Sequence, residues 1–161
     1  MIISSPFESI IDGNVRINVS QKEVRGSESV LVSALRETIK EIRSIGKEVL
    51  VIAPPPLAGF DVGGCLRKSV QFSSDISRCD FAVSMWTPAT GKVYSALRDI
   101  ESEATVIWPH KWICSGSVCK PSQQGVLIYR DKGHLSHEGS EWIGKSEAFL
   151  KFSSLIHKMS Q

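Results

Sequence analysis

No apolar run in this sequence approaches the roughly 20 residues that a membrane span needs. The start, Met1-Ile-Ile-Ser-Ser-Pro6, has no basic region followed by an apolar stretch, so it does not read as a signal peptide. An excess of charge of one sign is also missing: 19 Lys+Arg stand against 17 Asp+Glu, for a net charge of +2. The charges are mixed along the chain, and no basic stripe points to nucleic acid as a partner. There is no internal repeat and no low-complexity tract. What remains is the profile of a soluble globular chain: 161 residues, 42% hydrophobic and 22% charged. That length fits one domain over 1–161, with a core large enough to need no staples.

Four cysteines are present, Cys65, Cys79, Cys114 and Cys119. An even number with one close pair fits two disulfides, which implies an oxidising compartment. Cys114 would pair with Cys119, and Cys65 with Cys79 by elimination. In a reducing cytosol all four would be free thiols. Cys114, Cys119 and His110 do not have the spacing of a zinc site, and no second pair completes four ligands. The cysteines and the missing signal pull in opposite directions. Both are met if the chain is a piece of a longer exported or membrane-anchored protein.

Ile2 and Ile3 read as the end of a core strand that Pro6 stops. Residues 8–25, with Gly13 and Asn14, read as a loop or short hairpin. Val30, Leu31, Ala34, Leu35, Thr38, Ile39, Ile42 and Ile45 recur at helical spacing, with Ser27 as N-cap and Gly46 at the C-terminal end. Val49–Ala53 is short, β-branched and apolar on both faces, as in a covered parallel strand. Residues 57–79 read as a Gly/Ser-rich loop with at most a short helix. A helical turn precedes Pro88, and Val93, Ala96, Leu97 and Ile100 mark a second amphipathic helix. Thr105–Trp108 is another short strand, Cys114–Cys119 a compact loop and Gly125–Tyr129 a strand or an extended edge. A last helix starts near Ser136, with Trp142, Phe149, Phe152 and Ile156 on one face. Alternating strands and helices of this kind give an α/β fold with a parallel sheet. About three core strands are visible, fewer than the five or so of a doubly wound sheet.

Ligands of open α/β sheets bind beyond the carboxyl ends of the strands. There the stretch Asp131-Lys-Gly-His134 stands out. An Asp three residues before a His, in a turn ahead of a helix, can hold one imidazole nitrogen and fix the tautomer. The other nitrogen is then left to take a proton from a hydroxyl nucleophile. The plainer alternative is a turn-capping Asp131 beside an ordinary surface histidine. His137, at the start of the last helix, reads as solvent-exposed or as facing the site, and His110, in Trp108-Pro-His-Lys-Trp112, as part of an aromatic loop with a possible sugar contact. His157 has no nameable partner. Pro54-Pro-Pro56 is a strand stop and a candidate pocket wall.

Tyr129-Arg-Asp-Lys-Gly-His-Leu-Ser-His-Glu-Gly139 resembles the last block of SGNH hydrolases, where Asp-x-x-His precedes the closing helix. More narrowly, the chain resembles the SGNH domain fused to bacterial membrane acyltransferases that O-acetylate cell-surface polysaccharide. Val49–Pro56 with Phe60-Asp61 and Cys65-Leu-Arg67, the short loop Cys114–Cys119, and Ile2–Ser5 carry the rest of the likeness. The resemblance implies a three-layer α/β/α, SGNH/flavodoxin-like fold. It also implies a Ser–His–Asp mechanism with catalytic His134 and Asp131, an acyl ester donor, a carbohydrate acceptor and no cofactor or metal. Location would be periplasmic or extracytoplasmic with a membrane-anchored parent, or cytoplasmic if the chain is made alone. An esterase of the same fold and a non-catalytic remnant or binding module are the competing readings. The family's Gly-Asp-Ser nucleophile block is absent from these residues. The expectation is therefore an N-terminally truncated domain that begins after that block. It would have little activity alone and would tend to self-associate through the exposed sheet.

Overall fold

The computed structural model describes residues 1–145. In chain order the elements run β1 (Ile2–Ile3), α1 (Phe7–Ile11), β2 (Arg16–Val19), β3 (Lys22–Arg25), α2 (Glu28–Ser44), β4 (Leu50–Ile52), α3 (Val62–Gln71) and β5 (Phe81–Ala82). They continue with α4 (Pro88–Arg98), β6 (Thr105–Ile107), α5 (His110–Ile113), β7 (Cys114–Ser115), β8 (Val118–Cys119), β9 (Ser122–Gln123), β10 (Val126–Leu127) and α6 (His137–Gly144). The described residues form two compact units: Met1–Pro54 with Thr87–Trp108, and Pro55–Trp86 with 109–145.

The first unit holds a parallel sheet in the order β1-β4-β6. Ile2 pairs with Leu50, and Val51 with Val106. The central strand is apolar on both faces, and Val51 is fully buried. β1 lies at the sheet edge with Met1 and Ile2 exposed, so it is less of a core strand than its two isoleucines suggest. This parallel sheet, with helices between its strands, is the α/β class expected.

α2 begins where Ser27 accepts a hydrogen bond from the Val30 amide. It buries Leu31, Leu35, Ile39 and Ile42 along one stripe. Gly46 follows in the left-handed conformation (φ 73°) that helix ends favour. α1, α2 and α4 pack on one another. α4 starts from a Thr87 cap with Pro88 in its first turn, and it buries Val93, Tyr94 and Leu97. The Tyr94 hydroxyl donates to the Pro54 carbonyl at 2.9 Å.

The stretch read as a loop or hairpin is both a helix and a hairpin. Phe7 and Ile11, four residues apart, are buried and give α1 its apolar face. β2 and β3 are an antiparallel pair, but their turn lies at Ser20 and Gln21, not at Gly13 and Asn14. Both turn residues have positive φ without being glycine. Glu37 of α2 holds this turn, accepting from the Ser20 amide at 2.9 Å and from its hydroxyl at 3.3 Å.

The second unit is built of shorter pieces. Residues 62–71, expected to be mostly loop, form the ten-residue helix α3. Asp61 caps it by accepting from the Gly64 amide at 2.8 Å, and Val62 and Leu66 are fully buried. Two glycines near its start hide the helical signal, since glycine is a poor helix former. β5, β8 and β7 form a small antiparallel sheet in that order, and β9 pairs with β10. Two disulfides, Cys65–Cys79 and Cys114–Cys119, tie these pieces together with the expected pairing. The core gathers Leu66, Cys79, Phe81, Ile113, Cys119, Ile128, Tyr129 and Ile143 into one cluster. Phe149, Phe152, Ile156 and His157 lie outside the described residues.

Candidate functional site

The local sequence closes a tight loop in the second unit. Tyr129 and Leu135 form an isolated antiparallel bridge, and the Arg130 amide donates to the His134 carbonyl at 2.9 Å. Tyr129 is buried and anchors one end, its hydroxyl donating to the Pro56 carbonyl at 2.9 Å. Ser136 anchors the other end. Its hydroxyl donates to the Leu127 carbonyl at 2.5 Å and accepts from the Gly139 amide at 2.8 Å, which starts α6. A side chain at Gly139 would meet the Ile128 carbonyl oxygen at 2.3 Å, so only glycine lets α6 begin so close to this strand.

Inside that loop the structure brings Asp131 and His134 together. Asp131 Oδ1 accepts from the amides of Gly133, at 3.0 Å, and His134, at 2.8 Å. The imidazole Nδ1 of His134 lies 3.0 Å from each carboxylate oxygen. Arg130 Nε stands 3.3 Å from Oδ2 on the outer side. The Gly133 amide, then the His134 amide, hold the Asp131 carboxyl well below the usual carboxylate range, and the imidazole and Arg130 contacts act the same way. Asp131 is therefore an anion at neutral pH. A carboxylate accepts only, so Nδ1 carries the hydrogen and Nε2 is the basic nitrogen. The His134 side chain is 74% exposed, and Nε2 has no hydrogen-bond partner among the described residues. The pair can hold one tautomer, take a proton at Nε2 and balance the resulting imidazolium with a fixed negative charge.

The other residues singled out fall elsewhere. His137 is the exposed first residue of α6. His110, in α5, meets Trp86 edge-on with ring centroids 5.7 Å apart. Cys114 and Cys119 are joined to each other. Sequence reasoning missed the supports of the pair, namely Arg130, Tyr129 and Gly139. Tyr129 lay within the strand signal and Gly139 within the last helix. Nothing in the sequence showed that Gly139 would lie against the backbone of Ile128. No cluster of metal-ligating side chains occurs among the described residues.

A sheet of parallel strands together with an Asp-x-x-His turn directly ahead of a capped helix defines an SGNH-type domain. Residues 2–146 match the family model described as SGNH domain (fused to AT3 domains), and the chain belongs to that family. Its function is thereby acyltransferase-associated. No curated protein and no solved structure matches the chain. No helix among the described residues is long and apolar enough to cross a membrane.

Proposed function

We propose that this chain supplies the acid–base half of an O-acyltransferase site. In this reading an acetyl group passes from an ester donor to a carbohydrate hydroxyl at the cell surface. The observation that carries it is the His134 imidazole, clamped at Nδ1 by an ionised Asp131 while Nε2 stays open. A serine hydroxyl placed at Nε2 gives up its proton to His134 as the oxygen attacks the donor carbonyl. The imidazolium then protonates the departing group, leaving an acyl-serine. The acceptor hydroxyl loses its proton to the same nitrogen as it takes the acyl group, and the imidazolium returns that proton to the serine oxygen as its ester bond breaks. Asp131 holds the tautomer and stabilises the positive charge between these steps.

The serine is supplied from a Gly-Asp-Ser segment outside these residues, carried by a membrane-anchored acyltransferase. The two disulfides support an extracytoplasmic location for the domain. Water reaching the acyl-serine would turn the same residues to ester hydrolysis.

The test is hydrolysis of a short-chain acetyl ester, and transfer to an oligosaccharide, by the chain alone and by the chain joined to a Gly-Asp-Ser-bearing strand segment. We expect little activity from the first and clear activity from the second. His134→Ala should lower the latter by about 10³-fold or more, as loss of the base does in related triads. Activity that survives His134→Ala would sink the proposal.

A further inference from the structure

The Asp131–His134 loop does not stand by itself; its backbone rests on the first turns of α3. The Gly63 amide donates to the Asp131 carbonyl at 3.2 Å. Arg67, one helical turn further on, donates from its guanidinium to the Arg130 carbonyl. The approach is too close for any side chain at position 63. A Cβ there would lie 2.2 Å from the Arg130 carbonyl carbon, 2.3 Å from its oxygen and 2.4 Å from the Asp131 nitrogen. α3 is itself fixed at both sides of this contact. Asp61 caps its start and lies 3.9 Å from the Arg67 guanidinium, and Cys65 is bonded to Cys79 in the core.

We infer that Gly63 and Arg67 are positioning residues, forming a platform on α3 that sets the backbone of the Asp131–His134 turn and so the hydrogen bonds between the two side chains. The physical reason is the geometry of the turn. Asp131 reaches Nδ1 and the two amides at once only if the peptide units on either side of it are held. The side-chain bonds cannot hold them alone, because Asp131 and His134 are both partly or largely in water, where such bonds contribute little. The carbonyls of Arg130 and Asp131 point back at α3, and the helix supplies one donor to each. Glycine at position 63 lets the strands of backbone touch, and the arginine fork clamps the preceding carbonyl. The inference rests on the acid–base reading of the site, but it is measured without turnover.

The test is solution NMR on the whole chain, comparing Arg67→Ala, Gly63→Ala and a control, Lys68→Ala. The Arg67 side chain is 62% exposed, so its truncation opens no cavity and the fold should survive. Lys68 is exposed on the same helix and removes the same charge. The readouts are amide hydrogen exchange of Gly133 and His134, the carboxyl ¹³C titration of Asp131 and the Nδ1–H resonance of His134. In Arg67→Ala the two amides should exchange about tenfold faster, the equivalent of one lost hydrogen bond. The Asp131 carboxyl should move up toward the ordinary range as its amide donors loosen, and the Nδ1–H signal should broaden. Gly63→Ala should show the larger change in all three, with Lys68→Ala matching the unmodified chain. A folded Arg67→Ala with unchanged exchange and titration would overturn the inference, as would a Lys68→Ala that behaves like Arg67→Ala. Failure of the acyl-transfer assay alone would leave these readouts standing, so the two proposals fail separately.

Discussion

The two compact units of this chain solve the same problem differently. The first is regular. A helix of 17 residues buries a continuous apolar stripe, the central parallel strand is apolar on both faces, and the unit contains no cysteine. Among the described residues, the second has no helix longer than ten residues and no strand longer than two, and it contains all four cysteines. Long periodic elements bury enough surface to hold themselves. Short ones leave more backbone to be fixed by covalent links, caps and side-chain bonds to carbonyls. The candidate site is in the second kind of unit, where position is set group by group and not by the regular geometry of a sheet.

The largest way to break this comparison is to remove a disulfide. Cys65 and Cys79 enclose a separation of 14 residues, and Cys79 is fully buried. Opening such a loop costs about 3 kcal/mol in the chain-entropy picture. The double variant Cys65→Ser, Cys79→Ser should therefore speed hydrogen exchange in peptides covering α3 and residues 129–135. Peptides of α2 should be much less affected. Equal acceleration in both would show that the regular unit depends on the same covalent support, and the contrast drawn above would fall.

A smaller effect sharpens it. Ser27 and Ser136 are both helix caps, and each replaced by alanine should cost about 1 kcal/mol. Their consequences should differ. Ser27 holds the Val30 amide of a long, well-packed helix, and its loss should shave stability and nothing more. Ser136 also donates to the Leu127 carbonyl and stands two residues after His134. Ser136→Ala should lower stability by a similar amount and also broaden the His134 ring resonances. Identical ring spectra in the two variants would mean that the cap does not support the site.

What the sequence made legible follows the same division. α2, β4, α4 and β6 are visible because periodicity and capping speak for each element alone: Ser27 before an apolar stripe, Gly46 after it, and Pro54 and Pro109 beyond short apolar runs. α3 was hidden because Gly63 and Gly64 look like loop residues. Gly63 is there for a contact with the backbone of residues 130 and 131, far away in the chain. The hairpin turn at Ser20 was hidden because its support comes from Glu37, not from a turn-forming glycine. Asp131 and His134 were legible because both sit in one local motif, whereas Tyr129 with Pro56 and Arg67 with Arg130 are pairs that only the fold creates.

The smallest effect separates the units by pH. Burial pushes the Glu8 carboxyl of the first unit up, partly opposed by its own backbone amide, and nearby Asp12 adds to the rise. Its Oε1 is buried without a hydrogen bond among the described residues. A group raised in the fold contributes stability below its unfolded value and loses it as pH rises through the folded one. Asp131 is lowered, so its contribution is present above the ordinary carboxylate value of about 3.9 and fades only as pH falls through its lower, folded value. Between neutral pH and about pH 4.5, near the ordinary glutamate range, acidification should tighten the first unit slightly and leave the Asp131 turn unchanged. Glu8→Gln should remove that gain, raising the melting temperature at pH 7 by on the order of a degree or two and flattening its rise on acidification. Asp131→Asn should leave the acid-side gain in α1 and α2 exchange intact. A Glu8→Gln chain that still stabilises on acidification to the same extent would assign the effect to another carboxyl.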